Sequence, residues 1–202
     1  MHDPLIKMVA YSQARNQIHT GDLLLWSPTT FSGRAISDFA PDEQMMRCAP
    51  PWWRFSHASM AAHWLDSLVN LEMMQWAGGR VTQLSRDVRR WPGKVHVFRP
   101  TSPYSGAGAA ARMIRLISTP YGWGDFGHIL GRRYLPWLVR ADADSPADDR
   151  PRVCSTGFAW AAHWGGGRKP CDKPDDEVTP NDLAGSDFSG YLCTLYPDAA
   201  EI

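Results

Sequence analysis

Val153-Cys154-Ser155-Thr156-Gly157-Phe158-Ala159-Trp160-Ala161-Ala162-His163-Trp164 places a cysteine in the first turn of an apolar helix, directly after a coil-like stretch, Asp142 to Pro151, rich in Asp, Pro and Ala. A helix N-terminus carries unpaired N–H groups and about half a positive charge, which stabilise a thiolate and lower its pKa below the free value of ~8.5. Gly165-Gly166-Gly167 stops the helix. It follows a helix instead of bridging a strand and a helix, so it reads as a C-cap and flexible link and not as a phosphate cradle. A thiolate alone lacks a proton shuttle, which turns attention to the histidines and to any group that could orient one.

Composition bounds the rest. With 202 residues the chain fits a single domain (1–202) with a sizeable core, and no metal, cofactor or disulfide is needed to hold it. Ten tryptophans, eight methionines and sixteen prolines suggest a loop-rich fold with aromatic-lined grooves. Lys+Arg and Asp+Glu balance at 21 each, so no global field draws nucleic acid or an anionic membrane. Arg86, Arg89 and Arg90, like Arg132 and Arg133, read as solvated helix faces rather than phosphate sites. Met1 to Gly21 lacks a basic start followed by an apolar core, and no apolar run approaches the ~18 residues of a membrane span. The expected location is the cytoplasm, with an injected or phage-borne protein fitting equally well. Cys48, Cys154, Cys171 and Cys193 form no CxxC pair and no metal-ligand spacing. Cys48 and Cys193 read as buried small apolar residues, whereas Cys171 sits in a polar loop where a free thiol and a pairing with Cys193 both stay open.

Taken in order, residues 1–20 read as an irregular arm or short helix. Leu23-Leu24-Leu25-Trp26, after the break at Thr20-Gly21-Asp22, reads as a buried strand. Residues 27–53 are loop-like, with a possible helical turn at 36–39, and the adjacent indoles of Trp52 and Trp53 are rarely both buried, so one should line a groove. Along 55–64 the two-residue period puts His57, Ser59, Ala61 and His63 on one face and Ala58, Met60, Ala62 and Trp64 on the other. Asp66-Ser67 turns the chain into a second strand, 68–76, where Asn70, Glu72 and Met74 share a face. Such a hairpin sets His57 and Glu72 on neighbouring strands. Strands at 80–84 and 94–99, with a short helix at 85–91 between them, would continue an antiparallel meander. A helix over 105–118 presents Ala109, Met113, Leu116 and Ile117 as its apolar stripe; Tyr121 to Asp125 forms a tight loop. Residues 125–139 read as a second helix interrupted at Gly131 and Pro136, residues 140–152 as a linker, Thr179-Pro180-Asn181-Asp182-Leu183 as a one-turn helix, and 191–196 as the last strand.

A cysteine opening a helix, a histidine opening a strand and a carboxylate on the next strand supply a nucleophile, a base and an orienting acid. Gly21-Asp22-Leu23-Leu24, Ser56-His57-Ala58 ahead of Glu72, the Tyr121 loop, Val153-Cys154-Ser155 and Thr179-Pro180-Asn181-Asp182-Leu183, in that order, resemble the circularly permuted branch of the NlpC-type papain-like hydrolases, the YiiX/YaeF-like group. In this branch, as in the related lecithin:retinol acyltransferase-like proteins, the cysteine helix follows the histidine strand. The resemblance runs from about Gly21 to Tyr196 and implies an α+β fold, an antiparallel sheet or small barrel packed against the cysteine helix. It implies Cys154 as nucleophile, His57 as general base and acid, Glu72 as the polar third member and Tyr121 as a site-lining tyrosine, with the Cys154 N–H as an oxyanion donor. Trp52, Trp53 and Trp123 are the further candidates for substrate contact. One departure is Ser59, where the family commonly has a glycine. His63 reads as a satisfied sheet histidine, His128 and His163 as helix-surface or packing residues, and no His/Cys/Asp cluster has zinc spacing. The expected activity is cleavage of a small peptide-type amide, a cell-wall peptide being one example. Thiol acyl transfer or lipid or thioester cleavage is the alternative, and a catalytically silent binding or phage structural module is the third reading.

Overall fold

The computed structural model describes residues 7–28, 54–135, 137, 146 and 150–198. Trp52, Trp53, Cys48 and the turn expected at 36–39 lie outside the described residues. The strands are β1 (Met8–Ala10), β2 (Leu23–Trp26), β3 (His57–Trp64), β4 (Ser67–Met74), β5 (Gly78–Gln83), β6 (Val95–Pro100) and β7 (Ser189–Tyr196). The helices are α1 (Tyr11–Ala14), α2 (Leu84–Arg90), α3 (Gly106–Ile114), α4 (Trp123–Tyr134), α5 (Cys154–Trp164) and α6 (Pro180–Gly185). The strands make one open sheet, ordered β1-β7-β6-β2-β3-β4-β5, in which every pairing is antiparallel except β1 with β7. The fold is therefore α+β, and the sheet stays open where a small barrel was the alternative.

Alternation along the strands divides the interior in two. Leu23, Leu25, Ala58, Met60, Ala62, Val69, Leu71 and Met73 face α3 and α5, and with Met113, Leu116, Phe158 and Trp160 they form the larger core. Leu24, Trp26, Ala61, Leu68, Val95 and Val97 face the other way, where Leu84 and Val88 of α2 cover them. Helix α5 is buried from Cys154 through Ala162. A helix apolar on all sides must be covered on all sides, and the sheet, α3, α6 and the 3-10 turn Asp175–Glu177 enclose this one.

Four expectations are corrected. Residues 8–10 of the supposed arm form an edge strand on β7. The meander stops at β5, because α2 carries the chain across the second face and β6 pairs with β2 and β7 instead. Gly131 does not interrupt its helix, since α4 runs on to Tyr134. The triple glycine caps α5 as expected, but it is not a flexible link: a Cβ on Gly165 would lie 2.5 Å from the Gly108 carbonyl oxygen, and one on Gly166 would lie 2.3 Å from the Tyr104 ring. Small residues there let α3 and α5 approach backbone to backbone. Cys171 packs against the larger core and Cys193 sits in the smaller, across the sheet, so both are free thiols.

The one-turn helix α6 forms as its sequence requires. Asp182 N–H donates to the Thr179 hydroxyl (3.2 Å) and Thr179 N–H donates to the Asp182 carboxylate (2.8 Å), a reciprocal cap. The cap fixes Asn181, whose Oδ1 accepts the Phe55 N–H (2.9 Å) just ahead of β3. Thr179→Ala is expected to lower stability by about 1 kcal/mol, read as a reduced urea midpoint at unchanged m-value.

Candidate functional site

His57 opens β3 and pairs with Trp26 of β2, whereas the β3–β4 ladder begins only at Met60–Leu71. The strands thus part at the His57 end of the hairpin. Into this opening comes the N-terminus of α5. The Cys154 sulfur accepts the backbone N–H groups of Ala58 and Ser155, one from the strand and one from the helix's own first turn. On the other side of the imidazole, His57 Nε2 donates to Glu72 Oε2 at 2.7 Å. Arg80, directly across β4–β5 from Glu72, donates through Nε to Oε1 at 2.7 Å. Glu72 is 3% exposed. A carboxylate this deep needs partners for both oxygens, and it has them.

The electrostatics follow from these neighbours. Burial disfavours the His57 imidazolium, but the adjacent Cys154 and Glu72 outweigh burial and push its pKa up to about 10. For Cys154, burial opposes the thiolate, and the charge and hydrogen bond of His57 together with the two backbone N–H groups override it, so the thiol is held below its ordinary value. Burial likewise works against the Glu72 carboxylate, and His57 and Arg80 keep it ionised, below the usual range. The His57 imidazole thus stands between the Cys154 sulfur and the Glu72 carboxylate.

Tyr121 meets this line from the helix side. Gly122 N–H donates to the Arg152 carbonyl (2.8 Å), and a Cβ on Gly122 would fall 2.5 Å from the Arg152 backbone, so glycine is what permits the approach. The phenol next to it is kept protonated by burial and by Cys154, whose sulfur and N–H both lie within its reach. Ser56, Tyr121, Phe126, Ile129, Val153 and Cys154 are among the walls of a cleft with about 520 Å³ of empty space, part of it open to solvent. Although only 6% exposed, Cys154 forms part of that wall. Trp123, half exposed, stacks edge-on to Tyr121 with ring centroids 5.2 Å apart, and beyond it stands Trp76 at 5.0 Å.

Several positioning residues give no sequence signal of their own. Thr156 accepts the Val153 N–H (3.0 Å) and donates to Asp125 (2.8 Å), which tethers the first turn of α5 to α4. Arg150 bonds both Asp125 (3.0 Å) and Asp176 (3.2 Å), and Arg152 lies over the Trp160 ring at 4.6 Å. The end of the stretch read as a linker is therefore pinned and buried. Ser59 accepts the Trp26 indole N–H at 2.8 Å, and that indole sits 6.2 Å from the His57 ring. His63 bonds the Ile18 carbonyl (2.9 Å) and His163 bonds Asp175 (3.0 Å), both in packing roles. Aliphatic-to-polar spacing, the only clue available for Asp125 or Thr156, is common on ordinary helices and could not have singled them out.

No family model matches this sequence, and no curated protein matches it. In its backbone the chain is similar to the crystal structure of metalloprotein yiiX from Escherichia coli O157:H7 (DUF1105), with a TM-score of 0.61 and 16% identity, over 90% of this chain and 99% of that one. The chain has a YiiX-like fold. At 16% identity the likeness carries the fold alone. No described helix is long and apolar enough to cross a membrane.

Proposed function

We propose that this chain is a cysteine hydrolase of the permuted NlpC-type, papain-like kind, related to the lecithin:retinol acyltransferase-like proteins, and that it cleaves a small peptide-type amide. The observation that carries the reading is the line Glu72–His57–Cys154, with the 2.7 Å His57–Glu72 bond at one end and a helix-terminal sulfur at the other. In this reading the Cys154 thiolate attacks the carbonyl carbon, and the carbonyl electron pair moves onto oxygen, facing the Cys154 N–H and the Tyr121 hydroxyl. The His57 imidazolium then gives its proton to the leaving nitrogen as the C–N bond breaks, leaving an acyl thioester. Water delivers a proton to neutral His57, attacks the thioester and releases the acid, and the thiolate returns. Glu72 holds the ring with Nδ1 toward sulfur throughout and offsets the imidazolium charge. Trp123 stands where a substrate leaving the cleft would meet it.

The yiiX protein is described as a metalloprotein. Among the described residues of this chain no three His, Cys, Asp or Glu side chains lie together as a metal set, since Cys154 and Glu72 address opposite sides of one imidazole instead of converging.

A second reading has an observation of its own. Phe126, Ile129, Leu130, Val153 and Pro180 make the cleft beside Cys154 mostly apolar, which suits an acyl chain, and the same thiolate would transfer an acyl group or cleave a thioester or lipid ester. Mass spectrometry of the intact protein after mixing with a peptide amide, and separately with a long-chain acyl thioester, distinguishes the two by which substrate leaves an adduct on Cys154. Adduct from neither, together with an inert thiol, overturns both and leaves a binding module.

The pH dependence of alkylation follows from the charges. Cys154 is lowered and His57 raised to about 10, so the ion pair forms above the Cys154 pKa and is lost only as pH rises through the His57 value. Iodoacetamide should accordingly label Cys154 well below the ~8.5 of a free thiol. In His57→Gln the largest lowering influence disappears while burial and the two backbone N–H groups remain, the thiol pKa rises, and labelling at pH 7 should fall by roughly tenfold or more.

A further inference from the structure

A second cleft opens behind the His57–Glu72 pair, with about 660 Å³ of empty space partly open to solvent. Trp26 and Trp91 wall it, their rings meeting edge-on at 5.4 Å, and Arg80, Arg86 and Arg90 supply its charge. Its two carboxylates are already engaged. Glu72 accepts from His57 and Arg80, and Asp87 accepts from Asn70 (3.0 Å) and Thr82. Arg86 and Arg90, one turn apart on α2, form no ion pair among the described residues. The triplet read from sequence as a solvated helix face is thus divided by the fold: Arg86 and Arg90 border the cleft, and Arg89 is not part of its lining.

We propose that this cleft binds the oxyanion group, phosphate or carboxylate, of a small molecule. Guanidinium groups present donors in a planar fork that matches such oxyanions, and Arg86 and Arg90, one helical turn apart, border one cleft, with Arg80, already paired with Glu72, across it. Of the carboxylates beside them, Glu72 has both oxygens on protein donors and Asp87 has Oδ2 on Asn70 and Thr82, and neither forms an ion pair with Arg86 or Arg90 among the described residues. Binding here requires no chemistry at Cys154, and it stands or falls independently of the proposed hydrolase.

The test titrates the full chain with sodium phosphate and with citrate, against sodium chloride at matched ionic strength, reading the Tm and the calorimetric Kd. A saturable Tm rise is expected with at least one of the two, as a ligand of the native state must give; phosphate alone identifies a phosphate site and citrate alone a carboxylate site. R86Q/R90Q should weaken binding at least tenfold while keeping the ligand-free Tm, and R89Q should bind as the parent does. If the double variant fails to fold, R86Q against R89Q makes the same comparison. A chloride series that reproduces the shift, no saturable response to either anion, or equal binding by parent and Arg86 variants overturns the proposal.

Discussion

Cys154→Ala is expected to abolish acyl-bond cleavage, with kcat falling at least about 10³-fold, while the fold persists. The substitution deletes one sulfur from a wall that is otherwise held by groups it does not touch: Thr156 with Asp125, Gly122 with Arg152, and the buried face of α5 against the sheet. A near-parental Tm together with lost turnover separates chemistry from folding. His57→Gln should lose activity on a similar scale, and the double variant should be little worse than either, because nucleophile and base act as a unit. Glu72→Gln tests the third member differently. It removes the anion that helps hold the His57 pKa up, so the basic limb of the pH–rate profile should move to lower pH, a displacement that a merely structural loss would not produce. Turnover by Cys154→Ala at the parental rate would remove the hydrolase reading altogether.

Trp160→Ala is the largest stability loss expected outside the cleft, about 3–5 kcal/mol. Trp160 is fully buried on α5, and two guanidiniums lie over its ring, Arg112 at 4.8 Å and Arg152 at 4.6 Å. Truncation leaves a cavity and also strips the aromatic surface from Arg152, which is 2% exposed and whose pKa burial already lowers to about 10 despite nearby acids. Arg152 carries the backbone that holds Gly122 and, through it, Tyr121. Equilibrium urea unfolding measures the loss. Trp160→Phe, which keeps an aromatic ring against the cations, should recover a substantial part of it, whereas equal destabilisation by Ala and Phe would show that the indole's size alone matters.

How much of this was legible in the chain varies with the range of the interaction. The strands from β2 to β6 and helices α2, α5 and α6 follow from alternation, turn residues and caps, all of which act over a few residues; β1 was missed because three residues beside a short helix carry no periodic signal. The open order of the sheet was not legible either. Pairing β6 with β2 instead of β5 depends on α2 finding cover for Leu84 and Val88 on the second face, and that cover comes from residues far away in sequence. The basic triplet shows the same limit, since Arg86, Arg89 and Arg90 read alike as a solvated helix face and nothing local could say that a cleft lay beside two of them.

By itself the sequence determined which elements carry the candidate residues: Cys154 at a helix start, His57 at a strand start, Glu72 on the next strand, Tyr121 in the loop ahead of the cysteine. These are local facts, because backbone propensity and capping are decided within a turn or two. Tertiary structure alone decided that the β3–β4 ladder begins late enough to admit the Cys154 sulfur, that Arg80 holds the second oxygen of Glu72, and that Asp125 and Arg152 anchor the helix and loop beside them. Register, burial and the charge of a buried neighbour are properties of packed elements, and it is they that lower the thiol and raise the imidazole.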